Sequence, residues 1–184
     1  MLTGNGDHPP LNTIRWFWLA ALAALAADLL SKELVFANLG PPTGGDDPGY
    51  WLLPGAFRLV CHFNTGGAFG WASGNILLFL GAAAVLVPVL VLTAYHCRDP
   101  RAPLWGLGLV VGGAIGNLYD RLLHPGVRDF LELVNPRTGS SLWPVFNLAD
   151  VAIVVGVAAY LVWSFFDNRR GKRQAVNPDN RTDP

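Results

Sequence analysis

The chain has 184 residues, 52% of them hydrophobic and only 14% charged, with 13 basic and 13 acidic side chains that cancel. An average soluble domain carries about 25% charged residues, so a water-soluble globule of this size is excluded. The length fits one domain, and a net charge of zero gives no sign of a nucleic-acid partner.

Crossing ~30 Å of hydrocarbon takes about 20 mostly apolar residues, and four segments qualify. The first covers residues 16–38. Its opening, Arg15 and an apolar run ahead of Asp28, also has the shape of a cleaved signal peptide. Apolar character resumes at Leu34-Val35-Phe36, however, which favours a span. A loop follows over 39–74, opening on the Gly- and Pro-rich run 40–49. Within it Phe57, Leu59, Cys61 and Phe63 alternate with other residues, the period of a strand with one buried face. Asn64-Thr65-Gly66-Gly67 ends that strand as a turn. The second span, 75–95, is uncharged and contains Pro88. The third is 103–122, a second loop covers 123–146, and the fourth span is 147–166. Residues 167–184 are polar and basic, the composition of a disordered tail.

Basic residues set the orientation. With both termini cytoplasmic, Arg15, Arg98, Arg101, Arg169, Arg170, Lys172, Arg173 and Arg181 lie inside, eight of the thirteen. The outer loops then hold Arg58, Arg128 and Arg137. Cys61 and Cys97 fall on opposite sides, which excludes a disulfide between them. The four histidines, His8, His62, His96 and His124, have no metal-binding spacing.

Ionisable residues within spans are functional candidates, and here they share one depth. Asp120 lies some 17 residues into the third span, about 26 Å from its start. Asp150 is in the first turn of the fourth, and Asp28 in the outer half of the first. Each has a plain structural reading. Asp28 and Lys32 stand at i and i+4 and suit an ion pair. Asn147 and Asp150 have capping spacing, and Asp120 has Arg121 beside it. Their convergence, with Asn117 one turn before Asp120, favours a site. Paired carboxylates on facing helices suit aspartyl proteolysis, one taking a proton from water and the other donating to the carbonyl oxygen. Asp150 sits at the positive end of its helix dipole and Asp120 at the negative end of its own. Asp150 is therefore the expected base and Asp120 the expected acid.

Five blocks resemble the lipoprotein signal peptidase (signal peptidase II) family. They are Asp28-Leu29-Leu30-Ser31-Lys32; Asn64-Thr65-Gly66-Gly67-Ala68-Phe69; Gly112-Gly113-Ala114-Ile115-Gly116-Asn117-Leu118-Tyr119-Asp120-Arg121; Val127-Arg128-Asp129-Phe130; and Trp143-Pro144-Val145-Phe146-Asn147-Leu148-Ala149-Asp150. The resemblance puts the catalytic aspartates at Asp120 and Asp150. It puts substrate-binding or supporting positions at Asp28, Lys32, Asn64, Gly66, Gly113, Asn117, Arg121, Asp129, Asn147 and Ala149. It implies diacylglyceryl-modified prolipoprotein substrates cut just before the lipid-modified cysteine, membrane lipid as surroundings, and inhibition by globomycin-type compounds. No metal or other cofactor is implied. Gly67 stands where the family has Ala, and the stretches 40–55 and 136–142 are longer than its usual loops.

The expectation is an all-α polytopic membrane protein with four transmembrane helices and a small extracytoplasmic β element. Residues 1–166 form the peptidase domain and 167–184 a cytoplasmic tail. It is expected as a monomer in the bacterial cytoplasmic (inner) membrane, acting as an aspartic endopeptidase near the outer face. A small proton-coupled transporter would also carry intramembrane charges, but needs a polar path inward, and the inner halves of the spans are apolar. A non-enzymatic scaffold, its carboxylates serving only as caps, is the third reading.

Overall fold

The computed structural model describes residues 11–40, 49–66 and 76–176. The described residues form α1 (Leu11–Leu39), β1 (Tyr50–Leu53), β2 (Phe57–Asn64), α2 (Ile76–His96), α3 (Leu104–Leu123), β3 (Val127–Leu133) and α4 (Leu148–Val176). All four helices coincide with the apolar segments of the sequence. Two of them, α2 and the 148–167 part of α4, are long and apolar enough to cross a membrane by length and composition. α4 runs ten residues past the expected end at 166. Adding a residue to an existing helix costs far less than starting one, and Arg, Lys, Gln and Ala all favour helix. The start of the polar tail is therefore helical, and 177–184 lie outside the described residues.

α3 is the centre of the bundle, packed between α1 and α4, and glycine is what lets it fit. A Cβ at Gly108 or Gly112 would run into the backbone carbonyls of Phe17 and Ala21 on α1. On another face, a Cβ at Gly113 would lie 2.6 Å from the Ala149 carbonyl of α4, and one at Gly106 would lie 3.0 Å from that of Gly156. Small residues four apart permit this backbone approach between apolar helices. At the end of the bundle away from the sheet, Phe17, Ala94, Ala102, Leu104, Leu107 and Val111 form a buried cluster joining α1, α2 and α3.

The β element is a three-stranded antiparallel sheet in the order β1-β2-β3. β2 was legible in the sequence, but its strict alternation is not kept. Leu59 pairs with Leu131 and His62 with Asp129, so Val60 and Cys61 together face Phe130. This is a β-bulge, two residues against one, and it buries both Val60 and Cys61. β3 falls in what reads as a loop. Its Arg128, Asp129 and Glu132 look like surface charges, yet all three are buried. Buried charges need partners, and those partners come from distant parts of the chain. For Glu132 they are Arg58 Nε at 2.6 Å and the Ser141 hydroxyl. Beyond β3, Phe146 bridges to Leu131, which fixes the approach of the chain into α4.

Candidate active site

Ten side chains from α1, β2, α3, β3 and the start of α4 form one polar network at the sheet end of the bundle, six of them buried. Lys32, fully buried on α1, lies 2.6 Å from Asp28 Oδ2 and 3.0 Å from Asp120 Oδ2, and donates to Asn117 Oδ1 at 3.1 Å. Arg128 encloses the other side of Asp120. Its backbone N–H donates to Oδ2 at 2.9 Å, and its Nε and Nη2 reach Oδ1 at 3.0 and 2.9 Å. Arg128 Nη1 continues to Glu33 at 3.0 Å. Asp120 is thus fully buried between two cations, and both its oxygens are occupied.

The expected pairings of Asp120 therefore need correction. Arg121 turns away from it, donating to the Asn117 carbonyl at 3.2 Å with its guanidinium 3.8 Å over the Phe79 ring. Adjacent helical residues point about 100° apart, whereas Lys32 and Arg128 arrive from other elements. Asp120 reaches Asp150 through two residues, Lys32 and Asn117, whereas Asp129 reaches it through Asn147 alone.

Asn147 makes the link. Its side-chain Nδ2 donates to Asp129 Oδ1 at 2.6 Å, and its backbone N–H donates to Asp150 Oδ2 at 3.2 Å. Its Oδ1 in turn accepts the Asp150 N–H at 3.0 Å. This reciprocal arrangement is a capping box at the start of α4, so Asp150 both finishes a helix end and belongs to the network. Asn117 Nδ2 donates to Asp150 Oδ1 at 2.9 Å. Asp28 Oδ1 accepts the Ala149 N–H at 2.9 Å, a second carboxylate on the same helix start.

Asn64 closes the far side, donating through Nδ2 to Asp129 Oδ2 at 2.9 Å while its Oδ1 takes the Gly66 N–H at 3.1 Å. Burial pushes the Asp129 carboxyl up to about 7, with the charge of Asp150 adding to the shift; the hydrogen bonds from Asn64 and Asn147 and the charge of Lys32 work against it. A carboxyl near 7 can hold or release a proton under ordinary conditions.

Every candidate position makes one of these bonds or packs directly beside them, Arg121 through the Asn117 carbonyl. Gly113 and Ala149 serve by closeness, as their contact seats α3 against α4. The later part of the Asn64–Phe69 block lies outside the described residues. Arg128 and Glu33 are participants that sequence reasoning missed; the signal available was a basic residue immediately before Asp129 and an acid immediately after Lys32. Two grooves open beside the network. One, of about 350 Å³, is lined by Leu133, Trp143, Phe146, Asp150, Val151, Val154 and Val155. The other, of about 160 Å³, lies between Asn64, Phe79 and Arg121.

A family model described as signal peptidase (SPase) II matches residues 20–166. The lipoprotein signal peptidase of Moorella thermoacetica is 41% identical over 143 residues, covering 77% of this chain and 87% of that protein. That of Syntrophomonas wolfei is 37% identical over 161 residues, covering 86% and 99%. Two solved structures of bacterial membrane enzymes, both by the in meso method, share the fold. One has a TM-score of 0.70 at 21% identity, covering 97% of this chain and 96% of the other. The second has a TM-score of 0.68 at 22% identity, covering 86% and 96%.

Proposed function

The chain belongs to the signal peptidase II family, and from that premise we propose that it is an aspartic endopeptidase whose working pair is Asp129 and Asp150. Membership makes it a membrane protease of lipoprotein maturation, acting to remove signal peptides from prolipoproteins. The finer reading is a cut just before the diacylglyceryl-modified cysteine.

The observation that carries the pair is the asparagine bridge, in which one residue, Asn147, holds both carboxyl groups. Asp120, set between Lys32 and Arg128, is assigned the job of holding α1, α3 and β3 together. In the reaction, Asp150 takes a proton from a water molecule as the water oxygen bonds to the scissile carbonyl carbon. Asp129, protonated, donates a hydrogen bond to the carbonyl oxygen and stabilises the tetrahedral intermediate. The C–N bond then breaks as Asp150 passes its proton to the leaving amine of the modified cysteine, and the signal peptide leaves with a new carboxyl group while Asp150 returns to its ionised state. Paired carboxylates divide these roles because two close ones resist ionising together. The role of acid assigned to Asp120 from the sequence passes to Asp129.

Four membrane-spanning helices and an outer-face site remain part of this proposal. Supporting them is the apolar surface that the helices turn outward, as at Leu34 (64% exposed), Leu77 (74%) and Val154 (67%). Exposed apolar surface on this scale marks contact with lipid or a partner. The three-stranded sheet would rest on the outer membrane surface, and the apolar groove beside Asp150 would run down α4 to receive apolar substrate. Residues 1–166 would be the embedded domain, a monomer in the inner membrane with both termini cytoplasmic. Globomycin-type compounds would compete at the same site.

The test is purified protein incubated with a diacylglyceryl-modified precursor, the products identified by mass spectrometry. The expected product begins at the modified cysteine, and Asp129→Asn and Asp150→Asn should each reduce its formation by several orders of magnitude. Substantial turnover by either variant would remove the pair.

A further inference from the structure

At the opposite end of the bundle from the candidate active site, α1 and α2 leave between them a groove of about 420 Å³ lined by Ile14, Arg15, Trp18, Leu19, Leu22 and Tyr95. We propose that this groove holds one anionic phospholipid, its phosphate on Arg15 and Tyr95 and an acyl chain along Leu19 and Leu22. Residues 15, 18, 19 and 22 recur at the spacing that puts them on one face of a helix. That face reads polar to apolar along its length. Arg15, exposed, comes first, Trp18 follows, and Leu19 and Leu22 follow, 55% and 61% exposed.

Tyr95 supplies the second polar group, from the end of α2. The Trp18 indole N–H donates to the Tyr95 hydroxyl oxygen at 3.3 Å. The hydroxyl accepts that bond, so its own hydrogen is left to donate. The mouth of the groove therefore offers a guanidinium, a planar fork suited to phosphate oxygens, and a hydroxyl donor. Among the described residues its lining holds no carboxylate. Below that mouth the lining is wholly apolar, matching a molecule with an anionic head and a hydrocarbon body. Tryptophan and tyrosine are the residues favoured at membrane interfaces, where one end of the ring system is wet. A free phosphate would use the mouth and leave the apolar floor uncovered, so the occupant proposed is the lipid.

The experiment is native mass spectrometry of the full chain released from detergent. Equal amounts of phosphatidylglycerol and phosphatidylcholine are added, and the ratio of singly bound lipid is read. One basic residue near an anionic surface is worth about fivefold in binding. Wild type should favour phosphatidylglycerol by about that factor. Arg15→Gln should abolish the preference, Tyr95→Phe should reduce it, and Arg137→Gln, a basic change at the sheet end of the molecule, should leave it intact. Excess inorganic phosphate should not displace the lipid. No preference in wild type, a preference that survives Arg15→Gln, equal loss in Arg137→Gln, or displacement by phosphate would each overturn the site. Peptidase activity does not enter the readout, so the result stands apart from the fate of the catalytic reading.

Discussion

A carboxyl group serves proteolysis only if it can exchange its proton, and the surroundings of Asp120 and Asp129 differ in that respect. Asp120 has cations on both sides and both oxygens engaged. Breaking a buried ion pair by removing one partner typically costs about 3–5 kcal/mol. Asp120→Asn should therefore lower the unfolding temperature strongly, and Arg128→Met should do so similarly by leaving Asp120 without its fork. At pH 4–5, Asp129→Asn should instead lower the melt much less while abolishing turnover, because it strands no buried cation; asparagine keeps the shape and one accepting oxygen and loses the proton. An Asp120→Asn variant of normal stability with no activity would reverse the two roles.

The Asp129 carboxyl near 7 gives a second expectation. The acid must be protonated, so kcat/KM should fall as pH rises through about 7, and the limb should be absent from any residual activity of Asp129→Asn. The same shift bears on stability. A group whose folded value is raised contributes stability that is fully present below its ordinary value of 3.8 and is lost as pH rises to about 7. At 1.36 kcal/mol per unit, that loss is on the order of 4 kcal/mol. Denaturant melts between pH 4 and 8 should show the decline in wild type and its absence in Asp129→Asn.

Among the elements, α3 carries the strictest packing. At Gly112 an added Cβ meets the Ala21 carbonyl and lies 3.0 Å from the Ala24 side chain, and backbone cannot step aside. Overpacking of this kind costs about 1–3 kcal/mol. Gly81 on α2 is the contrast, since an added Cβ there meets nothing within 4 Å. Gly112→Ala should therefore destabilise by ~1–3 kcal/mol, while Gly81→Ala should be neutral or gain up to about 1 kcal/mol from higher helix propensity. Equal effects on the melting temperature would mean that the close approach of α1 and α3 does not matter. β3 is held by a different device, three buried charges each joined to another element: Arg128 to α3 and α1, Asp129 to Asn64 and Asn147, and Glu132 to Arg58.

For the molecule as a whole, the distribution of basic residues and the position of the sheet make one prediction about sidedness. Thr138 is exposed in the turn after β3, and Arg101 is exposed between α2 and α3. In a background lacking Cys61 and Cys97, Thr138→Cys should react with a membrane-impermeant maleimide in intact cells. Arg101→Cys should react only after lysis. The opposite pattern would invert the proposed topology and move the Asp129–Asp150 site to the cytoplasmic face.

The positions of the four helices were legible in the sequence alone, and so were the carboxylates from which a site could be proposed. Twenty-residue apolar runs and charges confined to segment ends are local properties, written in composition and period. The capping relation of Asn147 and Asp150 and the ion pair of Asp28 with Lys32 were likewise legible, because three- and four-residue spacings within a helix fix which side chains meet. Which aspartate shares Asn147 with Asp150 depends on long-range contacts. Asp120 and Asp129 lie nine positions apart in the chain, in motifs of equal prominence. What separates them is that Lys32 of α1 and Arg128 of β3 close on one, while Asn64 of β2 and Asn147 at the head of α4 close on the other. Those partners come from elements far apart in sequence. No local pattern encodes that choice, because ion pairing and desolvation depend on which groups the folded chain brings within a few ångströms.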